Sequence, residues 1–266
     1  MVDCDLWIGD TLDVPMTPEV ASVAKDVFED FKAAGGKIDH IKITHDPVEA
    51  AKISRIKDAH ACYAWPASTL QPWKLTAHIM RDNLKNGVNL QTNTIVTQIT
   101  QSRQSPGKWI VESERGKIEC MQVVHATNAY SSALEPSLRG LISPSPHICN
   151  RVVPPVEYTG SKGLQNSYGV LMSDGDLFSI NPRSTSDGLV MFGGSNPGQG
   201  KFEKWLEEHP EKCVDDSLLS FESVSDAIQD FTESQFPGWA STASGGEQLY
   251  KDGWSGVIAL VSEFST

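Results

Sequence analysis

The segment Val123-Val124-His125-Ala126-Thr127-Asn128-Ala129-Tyr130 carries the clearest chemical signal in the chain. A strand-like run over 118–124 ends in small and polar residues, and a helix start is predicted immediately after them. A strand-turn-helix junction of this kind brings backbone amides up to the anionic part of a nucleotide. The usual companion of such a turn is a Gly-x-Gly-x-x-Gly loop, whose glycines permit close backbone approach to a pyrophosphate. That loop is not found in the sequence. The stretch Phe192-Gly193-Gly194-Ser195-Asn196-Pro197-Gly198 is glycine-rich, but it reads as a turn needing positive φ, with Pro197 arguing against a helix start.

Other chemistries find less support. There is no Gly-x-Ser-x-Gly elbow to present a nucleophilic serine. The seven histidines include no His-Glu-x-x-His pair, and His40 and His45 are five apart, so a metal site is not predicted. His125 and His78 read as packing residues. The five cysteines are dispersed and odd in number, which argues against a disulfide framework or a zinc ribbon.

The elements that would position the turn are legible from local signals. Thr17-Pro18-Glu19 opens a helix that Gly35-Gly36 closes, with Val20, Val23, Ala24, Val27, Phe28 and Phe31 on one apolar face. Asp46-Pro47-Val48-Glu49 opens another. A third is predicted over 74–86, ending at Gly87. The hydrophobic period then shortens, and strands are predicted over 88–91, 94–100, 108–113 and 117–124, with Arg115-Gly116 as a hairpin turn, before a helix through Leu134. Pro144, Pro146, Pro154 and Pro155 mark a change in composition. Strands follow over 169–172, 177–180 and 189–192, then a helix over 223–234 with Val224, Ile228 and Phe231 turned inward.

With 266 residues, 39% of them hydrophobic, the chain can bury a substantial core. Its net charge of −12 disfavours nucleic-acid binding, which depends on neutralising phosphates. The acidic stretch over 203–233 reads as a solvated helical face. No apolar run approaches the ~20 residues of a membrane span, and the N-terminus lacks the charge and apolar core of a secretory signal. A soluble intracellular protein, cytoplasmic by preference, is the expectation.

Several motifs in order point to one family. Val88, Leu90, Thr92, Thr94, Val96 and Thr97 follow a Val-x-Leu-x-Thr-x-Thr-x-Val-Thr pattern; Ala126-Thr127-Asn128 follows, and Trp254-Ser255-Gly256-Val257-Ile258 closes the series. With Leu70-Gln71-Pro72-Trp73-Lys74-Leu75 upstream, the chain resembles the FAD-dependent oxidoreductases of the D-amino-acid oxidase superfamily, especially their fungal amine-oxidase-like members. The resemblance implies an α/β fold with a partial FAD-binding domain, glutathione-reductase-like, and an antiparallel-sheet substrate domain. It places 1–145, with a helical N-terminal segment, in the first, 146–250 in the second, and 251–266 at the start of a C-terminal flavin-binding segment.

The same resemblance implies FAD as cofactor. Val96 would lie against the adenine, Ala126, Thr127 and Asn128 near the pyrophosphate, and Trp73, Lys74, Gly256 and Val257 toward the flavin. Tyr168, Arg183 and Trp254 are candidates for contact with a small amine or amino-acid-like substrate, and no catalytic base is named. It also implies a family protein shortened at both ends, with an exposed sheet edge answered by marginal stability, rearrangement or a partner chain, so an oligomer is left open. Three functional readings follow: an amine or amino-acid oxidase, a flavin-free descendant that is a redox-neutral enzyme or binding protein, and a fragment without activity of its own.

Overall fold

The computed structural model describes residues 2–239 and 253–261. The chain divides into two compact units. The larger takes residues 1–76, 148–210 and 217–255; the smaller takes 77–147, 211–216 and 256–266. This differs from a boundary at 145, because the N-terminal strands pair with strands 150 residues away and composition carries no trace of that pairing.

In chain order the elements are β1 (Trp7–Pro15), α1 (Pro18–Ala33), β2 (Lys42–Thr44), α2 (Pro47–Ser54), β3 (Cys62–Thr69), α3 (Pro72–Lys85), β4 (Val96–Gln101), β5 (Trp109–Ser113) and β6 (Gly116–Cys120). Then come α4 (Ser131–Leu134), β7 (Ile142–Val152), β8 (Ser167–Leu171), β9 (Leu177–Pro182), β10 (Val190–Gly193), α5 (Pro197–Glu208), α6 (Glu222–Gln235) and β11 (Gly253–Val261).

The larger unit holds β10-β9-β8-β1-β3-β2 of an eight-stranded sheet whose full order is β11-β7-β10-β9-β8-β1-β3-β2. β1 runs parallel to β8, whereas β1–β3, β2–β3, β8–β9, β9–β10 and β7–β10 are antiparallel. Strand side chains alternate between faces. One face carries Leu12, Val14, Tyr168, Val170, Phe178, Ile180, Val190 and Phe192, all buried. α5 and α6 cover it. The Phe178 and Phe231 rings stack at 4.3 Å, Gln199 accepts from the Ile148 amide at 3.2 Å, and the Asn150 amide donates to Ser225 at 2.9 Å. Val224, Ile228 and Phe231 turn inward on α6, as their spacing predicts.

Caps are where the sequence expected them on α1 and α2: the Thr17 hydroxyl accepts from Val20, and the Asp46 carboxylate from Glu49. The packing of α1 is different. None of its residues is buried, and Val23, Val27 and Phe31 stay exposed. Only Phe28 makes a close ring contact, stacked on Tyr63 at 4.6 Å. An amphipathic pattern records what a helix could bury: Val20, Ala24 and Phe28 are half-covered here, and the described residues leave Val23, Val27 and Phe31 exposed.

The glycine-rich stretch corrects a second expectation. A helix does begin there: Pro197 takes the first turn of α5, and the buried Asn196 side chain accepts from the Gly198 and Gln199 amides. Proline suits that position because its missing N–H would be unsatisfied anyway. The positive-φ turn falls one step earlier, at Gly194 (φ +87°), where a Cβ would sit 2.3 Å from the Leu177 carbonyl oxygen.

In the smaller unit, β4, β5 and β6 form an antiparallel meander. Residues 88–91 are not a strand, and β6 ends at Cys120 instead of running to Val124. A short 3₁₀ turn (Asn128–Tyr130) precedes α4. Lys108–Glu119 and Lys117–Glu112 ion pairs at 3.0 and 2.7 Å bridge β5 and β6 or flank them.

Gly194→Ala is expected to lower stability by roughly 3 kcal/mol or more, since it combines a disfavoured φ with a backbone clash. Asn196→Ala, which removes a buried cap, should cost about 1–2 kcal/mol. Urea unfolding followed by circular dichroism would rank the two.

Candidate functional site

Two surfaces carry the features that could serve chemistry, one in each unit. In the smaller unit, Ala126, Thr127 and Asn128 form an exposed turn. Thr127 has φ −99° and ψ 12°, and Asn128 has φ +47°. A right-handed residue followed by a left-handed one turns successive N–H groups toward a common point, a concavity suited to an anion. Among the described residues no backbone or side-chain acceptor takes the Thr127 or Asn128 amide. Asparagine is among the few non-glycine residues that adopt this φ at modest cost.

Ser131 holds the turn from below. Its hydroxyl donates to the Asn128 carbonyl at 2.8 Å and lies 3.1 Å from the Thr127 hydroxyl. The donor set therefore fits one phosphate group of the dinucleotide that the sequence implies. Val96 opens β4, half-buried. Gly256 and Val257 lie in β11, and a Cβ on Gly256 would meet nothing within 4 Å.

In the larger unit the second face of the sheet carries a mixed surface. Register sets Tyr63, Asp13, Gly169, Ser179 and Gly193 in one row across five strands. Thr11, Asp13, Gly169, Ser179, Asn181 and Met191 on this face are only half-buried. Asp13 stands in this row between Tyr63 and Gly169, with no hydrogen bond or ion pair among the described residues. Gly169 makes room for it, because a Cβ there would lie 2.7 Å from Asp13 Oδ1. Burial pushes the Asp13 carboxyl up to about 6. The same carboxyl, after burial, helps push the Cys62 thiol up to about 11.

Trp73 and Lys74 belong to the first turn of α3, with Trp73 75% exposed. Lys74 and Arg183, expected at different tasks, meet around Asp5. The Lys74 ammonium donates to Asp5 at 2.6 Å, and the Arg183 guanidinium lies 3.8 Å from Asp5 and 3.2 Å from Asp187. The hydrogen bond from Lys74 holds the Asp5 carboxyl below its usual range, and Asp5 in turn raises the lysine. Tyr168 is on the helix-covered face, so it is not brought beside Arg183. Burial drives its phenol strongly upward. Trp254 lies in β11, and its side chain is outside the described residues. Among the described residues no cluster of His, Cys, Asp and Glu could hold a metal.

Sequence reasoning misses Asp13 and Thr11: Thr11-Leu12-Asp13-Val14 alternates polar and apolar with period two, but Gly9, Asp10 and Asp13 make 7–15 a poor strand by local rules.

The chain matches the family model described as FAD dependent oxidoreductase over residues 3–264, and it belongs to that family. Glycine oxidase from Geobacillus kaustophilus has a similar structure, with a TM-score of 0.68 at 18% identity, covering 98% of this chain and 61% of that one. L-alpha-glycerophosphate oxidase from Mycoplasma pneumoniae, reduced by dithionite with FAD bound, gives 0.68 at 14% identity, covering 98% and 64%. L-proline dehydrogenase from P. horikoshii gives 0.63 at 16%, covering 96% and 61%. The chain thus spans about three fifths of the length of these proteins, and the likeness establishes the fold. No curated protein sequence matches it. Among the described residues no helix is long and apolar enough to cross a membrane.

Asp13 has a folded pKa above its unfolded value of 3.8. Between about pH 4 and 6 the folded chain therefore keeps a proton that the unfolded chain has lost, and stability falls as pH rises through that window. Asp13→Asn should be more stable than the parent by about 1 kcal/mol at pH 7, allowing for solvent screening of a half-exposed group. The gain should vanish below about pH 4. Urea midpoints measured across that range test it.

Proposed function

We propose that this chain contributes to an FAD-dependent oxidase acting on the C–N bond of a small amine or amino acid. The observation that carries the reading is the turn at Thr127 and Asn128, whose free amides suit a phosphate oxygen of FAD. Ala126 continues this turn, and Val96 would border the adenine. Gly256 and Val257, with Trp73 and Lys74, are assigned to the flavin end on family resemblance. When bound, the flavin supplies an acceptor for the substrate's hydride and passes the electrons to oxygen.

The chain's own residues orient and bind. The half-open sheet face is the proposed substrate surface in the larger unit. Thr11, Ser179 and Asn181 supply hydrogen-bonding groups there, and Asp13 supplies a carboxyl able to pair with an ammonium group once ionised. Of the residues expected on substrate, Arg183 brings a guanidinium already balanced by Asp5 and Asp187, so its part would be to fix that edge. Tyr168 and Trp254 enter as candidates on resemblance alone. Membership of a flavin-dependent family favours this reading over a flavin-free descendant.

FAD added to the purified chain is expected to lose flavin fluorescence as it binds. Asn128→Gly should bind as the parent does, whereas Asn128→Ala, which loses the easy left-handed φ, should bind roughly five-fold more weakly. Fluorescence that stays unchanged at saturating protein would overturn the proposal. A screen of small amines and amino acids for flavin bleaching without oxygen would then define the substrate.

A further inference from the structure

A cleft of about 490 Å³ lies in the larger unit, between the end of α2 and the segment 157–168, and shares no lining residue with the half-open face. Lys52, Arg55 and Lys162 line it, and Glu157 is the only acid among its lining residues. Three cations against one carboxylate is a local excess of positive charge in a chain whose net charge is −12.

Arg55 has the most to say. It follows α2 in the left-handed conformation, φ +63°, a helix-end position where glycine is cheapest. An arginine there carries a conformational cost of order 1 kcal/mol, so the side chain must be accounted for. Part of it is: Nη1 donates to the Lys162 and Gly163 carbonyls, and the guanidinium lies 4.2 Å over the Tyr158 ring. The guanidinium also hydrogen-bonds with the Tyr158 phenol, and among the described residues no carboxylate pairs with it. Among the described residues Lys162 makes no ion pair and the Asn166 side-chain amide has no hydrogen-bond partner, and the ion pair of Lys52 there is with Glu49, at 3.4 Å on the helix surface. Tyr168, otherwise buried, closes the cleft wall.

We infer that this cleft binds a small oxyanion, through the Arg55 guanidinium, which no carboxylate neutralises among the described residues, the Lys162 and Lys52 ammonium groups and the Asn166 amide. Arginine presents parallel N–H donors that match the paired oxygens of a carboxylate or phosphate. The clamp on Lys162 and Gly163 fixes the guanidinium plane before any ligand arrives. This inference is independent of the FAD assignment, since none of its residues belongs to that proposed site.

The test is a titration of the full chain with inorganic phosphate and, separately, with succinate, followed by amide and arginine side-chain NMR shifts. Saturable shifts at Arg55, Gly163 and Asn166 are expected for at least one of the two, and comparing them separates a phosphate from a carboxylate ligand. The Lys52→Gln/Lys162→Gln double variant, which alters only exposed side chains, should weaken binding at least five-fold while leaving FAD binding unchanged. Non-saturable shifts, shifts spread over the surface, or affinity unaffected by the double variant would overturn the assignment. Arg55→Lys serves as a second variant that keeps the charge and removes the paired donors, and it should also weaken binding.

Discussion

The parallel pairing of β1 with β8 is the contact on which the rest of the larger unit depends. It joins Thr11 through Pro15 to Ser167 through Leu171 and closes a loop of more than 150 residues. Parallel strands cannot be joined by a tight turn, and the pairing forms only after a long loop has been closed. Once formed, it places β1 between β3 and β8 and turns two hairpin groups into one sheet. Leu12 and Val14 then complete the buried face, and Thr11 and Asp13 are delivered to the other. Without this pair, β1–β3–β2 and β8–β9–β10 would be two small sheets with no shared core and no continuous surface for a ligand.

What was legible in the sequence follows from the range of the interactions. Helix caps are decided by four residues, so Thr17 and Asp46 could be read directly. The meander β4–β5–β6 and the hairpins of β8, β9 and β10 are also local, joining strands that are neighbours in sequence. β1, β3 and β7 were not legible, since each contains residues that local rules count against a strand: Gly9 and two aspartates, Pro66, and Pro144 with Pro146. Long-range pairing overrides those preferences. The misreading of Asn196-Pro197 has the opposite origin. Two glycines suggested a loop, when the decisive feature was a cap residue followed by proline.

The candidate site shows the same division. The turn at Ala126-Thr127-Asn128 could be read because its geometry belongs to three consecutive residues. The half-open face could not, as its residues come from five strands and only register brings them into one row. Arg55 escaped for a related reason: a lone arginine after a short helix says nothing until its φ and its contacts with Lys162, Gly163 and Tyr158 are known.

Stability and use pull against each other at Asp13. The buried face of the sheet is closed by aromatic and aliphatic side chains, and little there could change without leaving a cavity. The opposite face is under no such constraint, so its composition is free to follow another demand. An unpaired carboxyl on an interior strand costs folding free energy at neutral pH, and a threonine or valine in that place would not. Gly169 adds to the cost, since glycine in a strand interior surrenders packing and chain entropy in order to leave room for the carboxylate. Two neighbouring positions, on strands paired across the longest loop in the unit, thus depart from what a sheet prefers, and they do so on the same face. A fold held together by its other face can tolerate this, and the charged substrate proposed for that surface would give the departure a purpose.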